Sequence, residues 1–405
     1  MRITRASWIL ALLLPGAFVQ AESLWLANAR IIDGSGAAPT AARSVEVADG
    51  RIRTISKDPA PAGAIDLGGR YLLPGYIDAH THIEDPASAK RALLSGVTTA
   101  RVLGDAYLKG LATRDLVRQG DAEGPEMLVS AGHVRPVLGE AFVLSFPQFG
   151  RYIDEPLTGD ENVATVVAAV IDRGADVIKV GASERAGLAS TDPRRPELSQ
   201  SEIAAAVRVA REKGRFVAAH AHNRGGVEAA VRAGVRSIEH GTYVDEPTLR
   251  LMKQQGTWFV PTLAIMSPLG DPRGDDAESI ALQTRTYHMM KPLRDAVRRA
   301  KGLGVAIATG TDGSYGDGDA TARVRIGHEI EELVKAGLTP LEAITAATSS
   351  SAELLGIASR TGRVAPGLEA DLLVVDRNPL EDSTTLFEPM LVLSDGRIAL
   401  NRIYD

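Results

Sequence analysis

The strongest constraint on this chain is that side chains able to bind metal ions stand at the ends of separate apolar segments. His80 and His82 close the segment YLLPGYIDAHTH, and single residues of the same kind close later apolar runs. Residues two apart in a β-strand share a face, so both imidazoles of the H-x-H pair point into one space. The pattern predicts a metal-binding pocket at the ends of several strands. The later residues are Lys179 in VIKV, His220 in FVAAH, His240 in SIEH and Asp312 in IATGTD.

Residues 75–364 alternate strand and helix patterns. Apolar runs of strand length are separated by amphipathic stretches such as SQSEIAAAVRVAREKG, for which Ser199 or Ser201 is a suitable helix cap. This alternation predicts an α/β fold, and eight such strands predict a (β/α)8 TIM barrel. The predicted strands are Tyr76–His80, Thr98–Leu103, Glu126–Ala131, Asp176–Val180, Phe216–Ala221, Ser237–Gly241, Trp258–Ala264 and Val305–Thr311.

Active sites of such barrels lie at the C-terminal ends of the strands. The metal-binding candidates fall at those ends, so the barrel would bring them to one mouth. Long irregular loops are expected after the third, fourth and seventh strands, at residues 133–160, 182–198 and 265–280. These loops would shape the entrance for a substrate.

The two ends of the chain share a different sequence pattern, which is typical of short strands joined by tight turns. Residues 22–74 contain the hairpin signal Asp49-Gly50, and residues 365–405 contain Asp395-Gly396. We therefore expect a small β-sandwich domain that both termini build together.

Residues 1–21 have the pattern of a secretory signal peptide. Arg2 and Arg5 precede an apolar core from Trp8 to Leu14, and small residues lead to Ala21. A membrane anchor is the alternative, but the apolar run is shorter than the roughly 20 residues that span a bilayer. We expect cleavage before Glu22, export to the periplasm or the medium, and no membrane span in the mature protein.

The amino-acid composition and net charge limit the classes of molecule that the chain is expected to bind. The chain has 405 residues, is 44% apolar and carries a net charge of −6 with mixed signs. This balance gives no basic surface for nucleic acid or anionic membrane, so a small-molecule substrate is expected. The absence of cysteine excludes disulfides, thiolate metal sites and thiol nucleophiles. Any metal must be held by nitrogen and oxygen.

Among the candidate metal ligands, Lys179 is the most informative single residue. An ammonium flanked by Val177, Ile178 and Val180 is costly to bury, and burial favours the neutral amine. A neutral amine reacts with carbon dioxide to give a carbamate, an anionic ligand able to bridge two metals. The alternative is a lysine paired with an acid or extended out of the barrel mouth. Local sequence alone favours that alternative, and only the other candidates reverse the preference.

The other candidates also have ordinary interpretations. His80 and His82 could be hydrogen-bonded core histidines, although the pair would leave several buried nitrogens to satisfy. His240 alone could be structural, and Asp312 could be a turn or capping residue. His220 and His222 repeat the H-x-H pattern, and one metal ligand with one substrate-facing group is favoured over two ligands. Candidate substrate contacts are His222, His133, Tyr243 and Arg135, whereas His288 and His328 are expected on helix surfaces.

Taken together, these motifs resemble the amidohydrolase superfamily, in particular its imidazolonepropionase-like branch of metal-dependent dipeptidases and carboxypeptidases. LPGYIDAHTH is similar to the family's first-strand motif, VIKV to its bridging lysine, HAHN and SIEHG to its histidine motifs, and ATGTDG to its eighth-strand aspartate. AGLTPLEAITAAT and GRVAPGLEADLLVVD are also similar to this branch. The resemblance covers nearly the whole mature chain.

The resemblance implies two divalent metal ions bridged by N6-carboxylated Lys179. His80, His82 and Asp312 would hold one ion, and His220 and His240 the other. Zinc is the first expectation for nitrogen and oxygen ligands, with manganese, cobalt and iron left open. Related dipeptidases often carry a tyrosine two positions after the fifth-strand histidine, where this chain has His222. A homo-oligomer is expected by resemblance only.

The implied reaction is hydrolysis of a peptide-like amide by hydroxide held between the metals, with Asp312 carrying the proton to the leaving amine. Dipeptides and N-acyl amino acids, including ochratoxin-like amides, are the expected substrates. Their carboxylate would need Arg135, His222 or an arginine of SERAGLASTDPRRP. Alternatives are esters, lactones, cyclic amides or organophosphates, or an exported binding protein without turnover. The presence of both Lys179 and Asp312 disfavours the last.

Overall fold

The structure is a computed structural model that describes residues 23–104, 106, 108–272, 274–318 and 321–403. The predicted signal peptide, residues 1–21, lies outside the described residues and stays a prediction. Within the described ranges, no helix is both long enough and apolar enough to cross a membrane.

The described residues form strands and helices in alternation between two strand-rich ends. The strands are β1 (Leu24–Ile31), β2 (Arg43–Ala48), β3 (Arg51–Ser56), β4 (Ile65–Asp66), β5 (Tyr71–Pro74), β6 (Tyr76–Thr81), β7 (Val97–Val102), β8 (Glu126–Val129), β9 (His133–Val134), β10 (Ile178–Gly181), β11 (Val217–Ala221), β12 (Ser237–His240), β13 (Trp258–Val260), β14 (Leu372–Val375), β15 (Leu391–Ser394) and β16 (Arg397–Asn401). The α-helices are α1 (Pro86–Leu94), α2 (Lys109–Gln119), α3 (Glu140–Ser145), α4 (Asp160–Asp172), α5 (Gln200–Glu212), α6 (Arg224–Ala233), α7 (Glu246–Gln255), α8 (Ala277–Leu303), α9 (Ile326–Lys335), α10 (Pro340–Thr345) and α11 (Ser351–Leu355).

Parallel strands make up most of a closed ring. β6, β7 and β8 pair in that order, and β9 to β13 pair as a second set. The third barrel strand is divided between β8 and β9, where Ala131 has a φ of 54° and interrupts the ladder. A hydrogen bond from the Asp176 amide to the Val129 carbonyl (2.8 Å) joins the two sets. The predicted (β/α)8 barrel is confirmed.

The eighth barrel segment, residues 305–313, closes the ring without forming a continuous strand. It meets β13 and β6 in single bridges. The buried carboxylate of Asp78 accepts hydrogen bonds from the Thr311 amide (3.0 Å) and hydroxyl (2.6 Å), so side-chain bonds replace part of the ladder. The prediction of a regular strand at Val305–Thr311 is wrong in this respect, although the segment occupies the eighth position.

The loop predicted at residues 133–160 is also wrong, because β9, α3, a 3-10 turn at Pro147–Ile153 and the first residue of α4 fall within it. Phe142, Phe146 and Phe149 of this region are buried in the barrel core. By contrast, residues 182–198 contain no helix, and residues 265–272 and 274–276 contain no helix or strand, although α8 begins at Ala277, before the predicted loop ends at residue 280. These two loops border the barrel mouth.

Strands from both ends of the chain form one eight-stranded sheet in the order β16-β15-β14-β5-β1-β2-β3, with β4 beside β1. β1 is irregular at Asn28, whose φ is 57°, and pairs with β2 and β4 near Leu26 but with β5 at Arg30 and Ile31. The sheet has its own core, which includes Leu26, Val45, Ile52, Leu72, Leu372 and Val374. The small β domain built by both termini is confirmed, and β1 connects its two halves because it pairs with β2 and β4 as well as with β5.

The helices begin where the sequence offers caps. Ser199 is the N-cap of α5, and its hydroxyl accepts a hydrogen bond from the Glu202 amide while the Glu202 side chain bonds back. Asn223 caps α6 in a similar way, and Gly234 ends that helix with a φ of 87°. These caps place the following strand, β12, so that it ends at His240 in the barrel mouth.

Candidate metal centre

Two groups of metal-ligand side chains face each other in the barrel mouth. In the first group, His80 and His82 at the end of β6 lie beside Asp312 of the eighth segment. The Nε2 atoms of His80 and His82 are 3.2 Å and 2.8 Å from Asp312 Oδ1. The ligand atoms of all three lie within 4.8 Å of one another. The first half of the predicted site is therefore brought together by β6 and the segment beside it.

The second group consists of His220, His222 and His240. Their ligand nitrogens also lie within 4.8 Å of one another, and all three side chains are buried. His240 has a φ of 73°, a strained conformation for a residue with a side chain, and such strain is concentrated at functional sites. The rings of His240 and His80 are 5.2 Å apart, so the two groups adjoin.

Lys179, in β10, adjoins both groups. Its Nζ is 3.3 Å from His80 Nε2, and the residue is 3% exposed. Burial lowers the pKa of this amine to about 8, although the charges of Glu239 and Asp312 oppose the change. The lowered pKa increases the fraction of the neutral amine near neutral pH, and the neutral amine is the form that reacts with carbon dioxide.

A buried ion pair between Glu239 and Arg101 contacts the Nδ1 side of the His80 ring, away from the metal-ligand groups. Glu239 Oε2 lies 2.9 Å from His80 Nδ1, and Glu239 Oε1 accepts a hydrogen bond from Arg101 (2.8 Å). Both Glu239 and Arg101 are 0% exposed. Burial alone would raise the pKa of Glu239, but Arg101 and His80 hold it at about 2. The carboxylate therefore fixes the His80 ring with Nε2 toward the site, as carboxylates behind metal-binding histidines do.

Sequence reasoning missed both Glu239 and Arg101. The signal was available, because each is a charged residue inside an apolar strand segment, SIEH and TTARV, and points into the barrel. Charges in such positions are retained only when paired. Which two charges pair depends on the order of strands around the barrel.

Threonine hydroxyls orient two rings of the second group. His222 Nδ1 is 2.9 Å from Thr242 Oγ1, and His240 Nδ1 is 2.7 Å from Thr262 Oγ1. This leaves Nε2 of each ring as the free ligand atom. Burial lowers the pKa of His222 to about 3 and the pKa values of His220 and His240 well below the ordinary value. The rings are neutral, which is the form that binds metals.

The carboxylate of Asp312 stays ionised. Burial would raise its pKa, but the charge of His80 and hydrogen bonds from His80 and His82 hold it well below its usual range. A set of imidazole nitrogens with oriented rings, one carboxylate and one amine fits divalent cations such as zinc. The residues present therefore form potential metal sites.

A cavity of about 770 Å³ opens over both groups. Outside the ligand residues, its walls are largely apolar. Loops after β7, β10 and β13 and the first turns of α8 supply this surface. The apolar lining residues are Leu103, Ala186, Leu188, Ile265, Met266, Pro272 and Leu282.

The four predicted substrate contacts occupy different places. His222 and His133 line the cavity, and His133 Nε2 is buried without a hydrogen-bond partner among the described residues. Arg135 is not among the described residues that line the cavity, and its guanidinium donates a hydrogen bond to the Glu197 carboxylate (2.5 Å). Tyr243 is half-buried and also stands outside the described lining. Of the arginines in SERAGLASTDPRRP, Arg185 reaches the cavity.

The sequence profile of the amidohydrolase family matches residues 71–399. Ochratoxinase from Aspergillus niger is 33% identical over 362 residues, which cover 79% of this chain and 73% of that protein. Imidazolonepropionase from Chromobacterium violaceum is 26% identical over 419 residues, which cover 91% and 95% of the two chains.

The solved structure of a Xaa-Pro dipeptidase, with methionine bound in its active site, superposes with a TM-score of 0.82 at 27% identity. The match covers 93% of this chain and 99% of that chain. The similarity therefore includes both the barrel and the small β domain.

Proposed function

This chain belongs to the amidohydrolase family and is a hydrolase of amide bonds, and we propose that it cleaves peptide-like amides with two divalent metal ions. The observation that carries the proposal is the pair of ligand groups facing one cavity with Lys179 between them. Dipeptides and N-acyl amino acids are the proposed substrates. Ochratoxin-like amides are included because a relative is named ochratoxinase.

In this proposal, each group of ligands holds one ion. His80, His82 and Asp312 would hold the first, and His220 and His240 would hold the second, with His222 close enough to take part. Zinc is the proposed metal. Bound ions would polarise the scissile carbonyl and make hydroxide available near neutral pH.

After carboxylation, Lys179 would supply a ligand to both ions. Its neutral amine forms a bond to the carbon of carbon dioxide and loses one proton, which leaves a carbamate with two oxygens. The 3.3 Å between Lys179 Nζ and His80 Nε2 and the 5.2 Å between the rings of His80 and His240 support a ligand shared between the two groups. The conversion replaces a neutral amine by an anion and releases one proton to water, and the anion would offset part of the positive charge of two metal ions.

Asp312 is the proposed proton carrier. It is ionised, it is partly open to the cavity, and its side chain is 22% exposed. It can accept a proton from the attacking water and deliver it to the leaving amine nitrogen. His133 and His222 line the same cavity and are proposed to contact the substrate amide.

A substrate panel tests this function. Metal-loaded protein is assayed with dipeptides, N-acyl amino acids, lactones and phosphotriesters, and we expect kcat/KM to be highest for an amide that carries a free carboxylate. The Asp312→Asn variant should remain folded while turnover falls by at least roughly 100-fold, since general acid-base catalysis contributes that much. A higher kcat/KM for lactones or phosphotriesters would contradict the proposal.

A further inference from the structure

The charged residues that line the cavity are distributed unevenly. Apart from the histidines, Lys179 and Asp312 of the metal centre, the charged residues of the described lining are Arg185 and Arg323. The described lining contains no acid besides Asp312. The entrance is therefore positive, which favours an anionic substrate over a neutral ester, lactone or phosphotriester.

The two arginines differ in how their donors are used. Arg323 donates to the carbonyls of Leu269 (3.0 Å) and Asp271 (3.0 Å), so it supports the loop after β13. The Arg185 guanidinium has no hydrogen bond or ion pair with any of the described residues, and the residue is exposed toward the cavity. Arg185 keeps its donors available for a ligand.

The loop that carries Arg185 is held in place by its surroundings. Arg285 of α8 donates to the carbonyls of Ala186 (2.8 Å), Leu188 (2.6 Å) and Thr191 (2.7 Å). Glu184 accepts a hydrogen bond from the Asp192 amide (2.7 Å), which ties the two sides of the loop together. Arg185 is thus presented from an ordered loop, which reduces the entropy lost on binding.

Arg185 is also close enough to the reaction centre to affect its electrostatics. Burial and the charge of Arg135 lower the pKa of Arg185, while the charges of Glu197 and Asp312 oppose the change. The charge of Arg185 adds to burial, Lys179 and Arg135 in lowering the pKa of His133. Leu188, on the same loop, and Met266, on the loop after β13, provide apolar surface nearby. A ligand that spans this region would carry a carboxylate and an apolar group.

We propose that Arg185 binds the free carboxylate of the amino-acid half of the substrate, which makes N-acyl amino acids with an apolar side chain the preferred substrate class. This inference rests on the proposed amide hydrolysis. Guanidinium and carboxylate can form two parallel hydrogen bonds, so the contact would also orient the scissile amide toward the metal centre.

Two probes that differ only in the carboxylate test the inference. N-benzoyl-L-phenylalanine carries it and N-benzoylphenethylamine lacks it, and release of benzoate is measured for both with metal-loaded enzyme. Charge-assisted hydrogen bonds predict that the wild type prefers the acid by roughly 10-fold to 100-fold in kcat/KM. The Arg185→Met variant should lower this ratio to near one, chiefly by raising KM for the acid.

Arg194→Met is the matched control. Arg194 belongs to the same loop but is 74% exposed in its side chain and paired with Asp192, so its loss should leave the preference intact. If Arg185→Met keeps the full preference for the acid, the role of Arg185 is overturned while amide hydrolysis stands. If the wild type hydrolyses neither probe nor any other amide, the proposed function itself fails and this inference fails with it.

Discussion

Lys179 is the residue whose chemistry depends most on its surroundings. Its side chain is buried between two histidine groups, 3.3 Å from His80 Nε2. In a metal-free site it is a buried amine, and as a carbamate it becomes a ligand. The consequence can be measured as metal content.

We predict that Lys179→Ala lowers both bound metal and activity, because the bridging ligand is lost. Short carboxylic acids such as acetate should partly restore activity by occupying the space left by the carbamate. Elemental analysis and rate measurements check this, with Lys213→Ala, an exposed lysine paired with Asp172, as the control. Unchanged metal content in Lys179→Ala would contradict the bridging role.

Glu239 acts through His80, and a second prediction follows from that contact. Glu239→Gln should weaken zinc binding by roughly 10-fold to 100-fold, as the loss of groups that orient metal-binding histidines does. Competition with a chelating dye measures the affinity, and circular dichroism verifies folding because Arg101 loses its ion pair. The exposed Glu353→Gln is the control. Normal zinc affinity in a folded Glu239→Gln protein would contradict the proposal that Glu239 orients His80 for metal binding.

The sequence predicted the ligand residues well because each stands at the end of an apolar run, a local signal. Arg135 and Arg185 could not be told apart in this way. Both follow barrel strands, but one pairs with Glu197 and the other faces the cavity. That choice depends on side-chain contacts between loops, which local sequence does not encode.

Among the elements, the eighth barrel segment is the most closely packed against the site. A Cβ atom at Gly310 would lie 2.5 Å from His80 Cβ and 2.7 Å from Val260 Cγ1. The absence of a side chain therefore lets this segment approach β6 and bring Asp312 beside the histidines.

We predict that Gly310→Ala lowers the free energy of unfolding by about 1–3 kcal/mol through overpacking and also lowers turnover, since His80 and Asp312 move apart. Gly302→Ala is the control, because a Cβ there, at the end of α8, has nothing within 4 Å. It should be neutral or stabilising by about 0.5–1 kcal/mol. Urea unfolding and rates measure both, and equal stability of the two variants would contradict the packing argument.

The small β domain contains a buried acid that makes its stability depend on pH. Asp371, just before β14, accepts hydrogen bonds from the Thr361 hydroxyl (2.8 Å) and the Asp395 amide (3.0 Å). Burial nevertheless raises its pKa from 3.8 to about 6. The folded state thus binds the Asp371 proton more tightly than the unfolded state, and this contribution to stability is lost as the pH rises through about 6.

The corresponding prediction compares the wild type with Asp371→Asn. Between pH 4 and pH 7, the difference in free energy of unfolding should shift in favour of the variant by up to about 3 kcal/mol. The wild type carries a buried charge at pH 7, and the asparagine does not. Urea unfolding at several pH values measures the difference, and a constant difference or a shift in favour of the wild type would contradict it.

Helices and strands could be predicted from the sequence where the local residue pattern and the tertiary structure favour the same conformation. The capped helices α5 and α6 are examples, because Ser199 and Asn223 mark their starts. The eighth segment was not, since the Asp78 carboxylate replaces ladder hydrogen bonds there. Phe142, Phe146 and Phe149 lie on or beside short helices that place their rings in the core. The turn-forming residues of this stretch predicted a loop and gave no sign of these helices.

At the scale of the whole molecule, the order of the elements decides what the chain can do. Both termini form a sheet whose Leu73 and Val375 pack into the barrel core, and the barrel gathers metal-ligand residues between His80 and Asp312 at one mouth. Alternating strand and helix patterns were sufficient to predict this arrangement. Export and assembly into a homo-oligomer stay predictions, because the first depends on residues outside the described ranges and the second on other copies of the chain.

The most direct measurement is the metal content of active protein together with its sensitivity to chelators. The proposed site predicts about two divalent ions per chain, loss of amide hydrolysis when a chelator removes them, and recovery when zinc is returned. Fully active protein without stoichiometric metal, and with rates that chelators leave unchanged, would contradict the account.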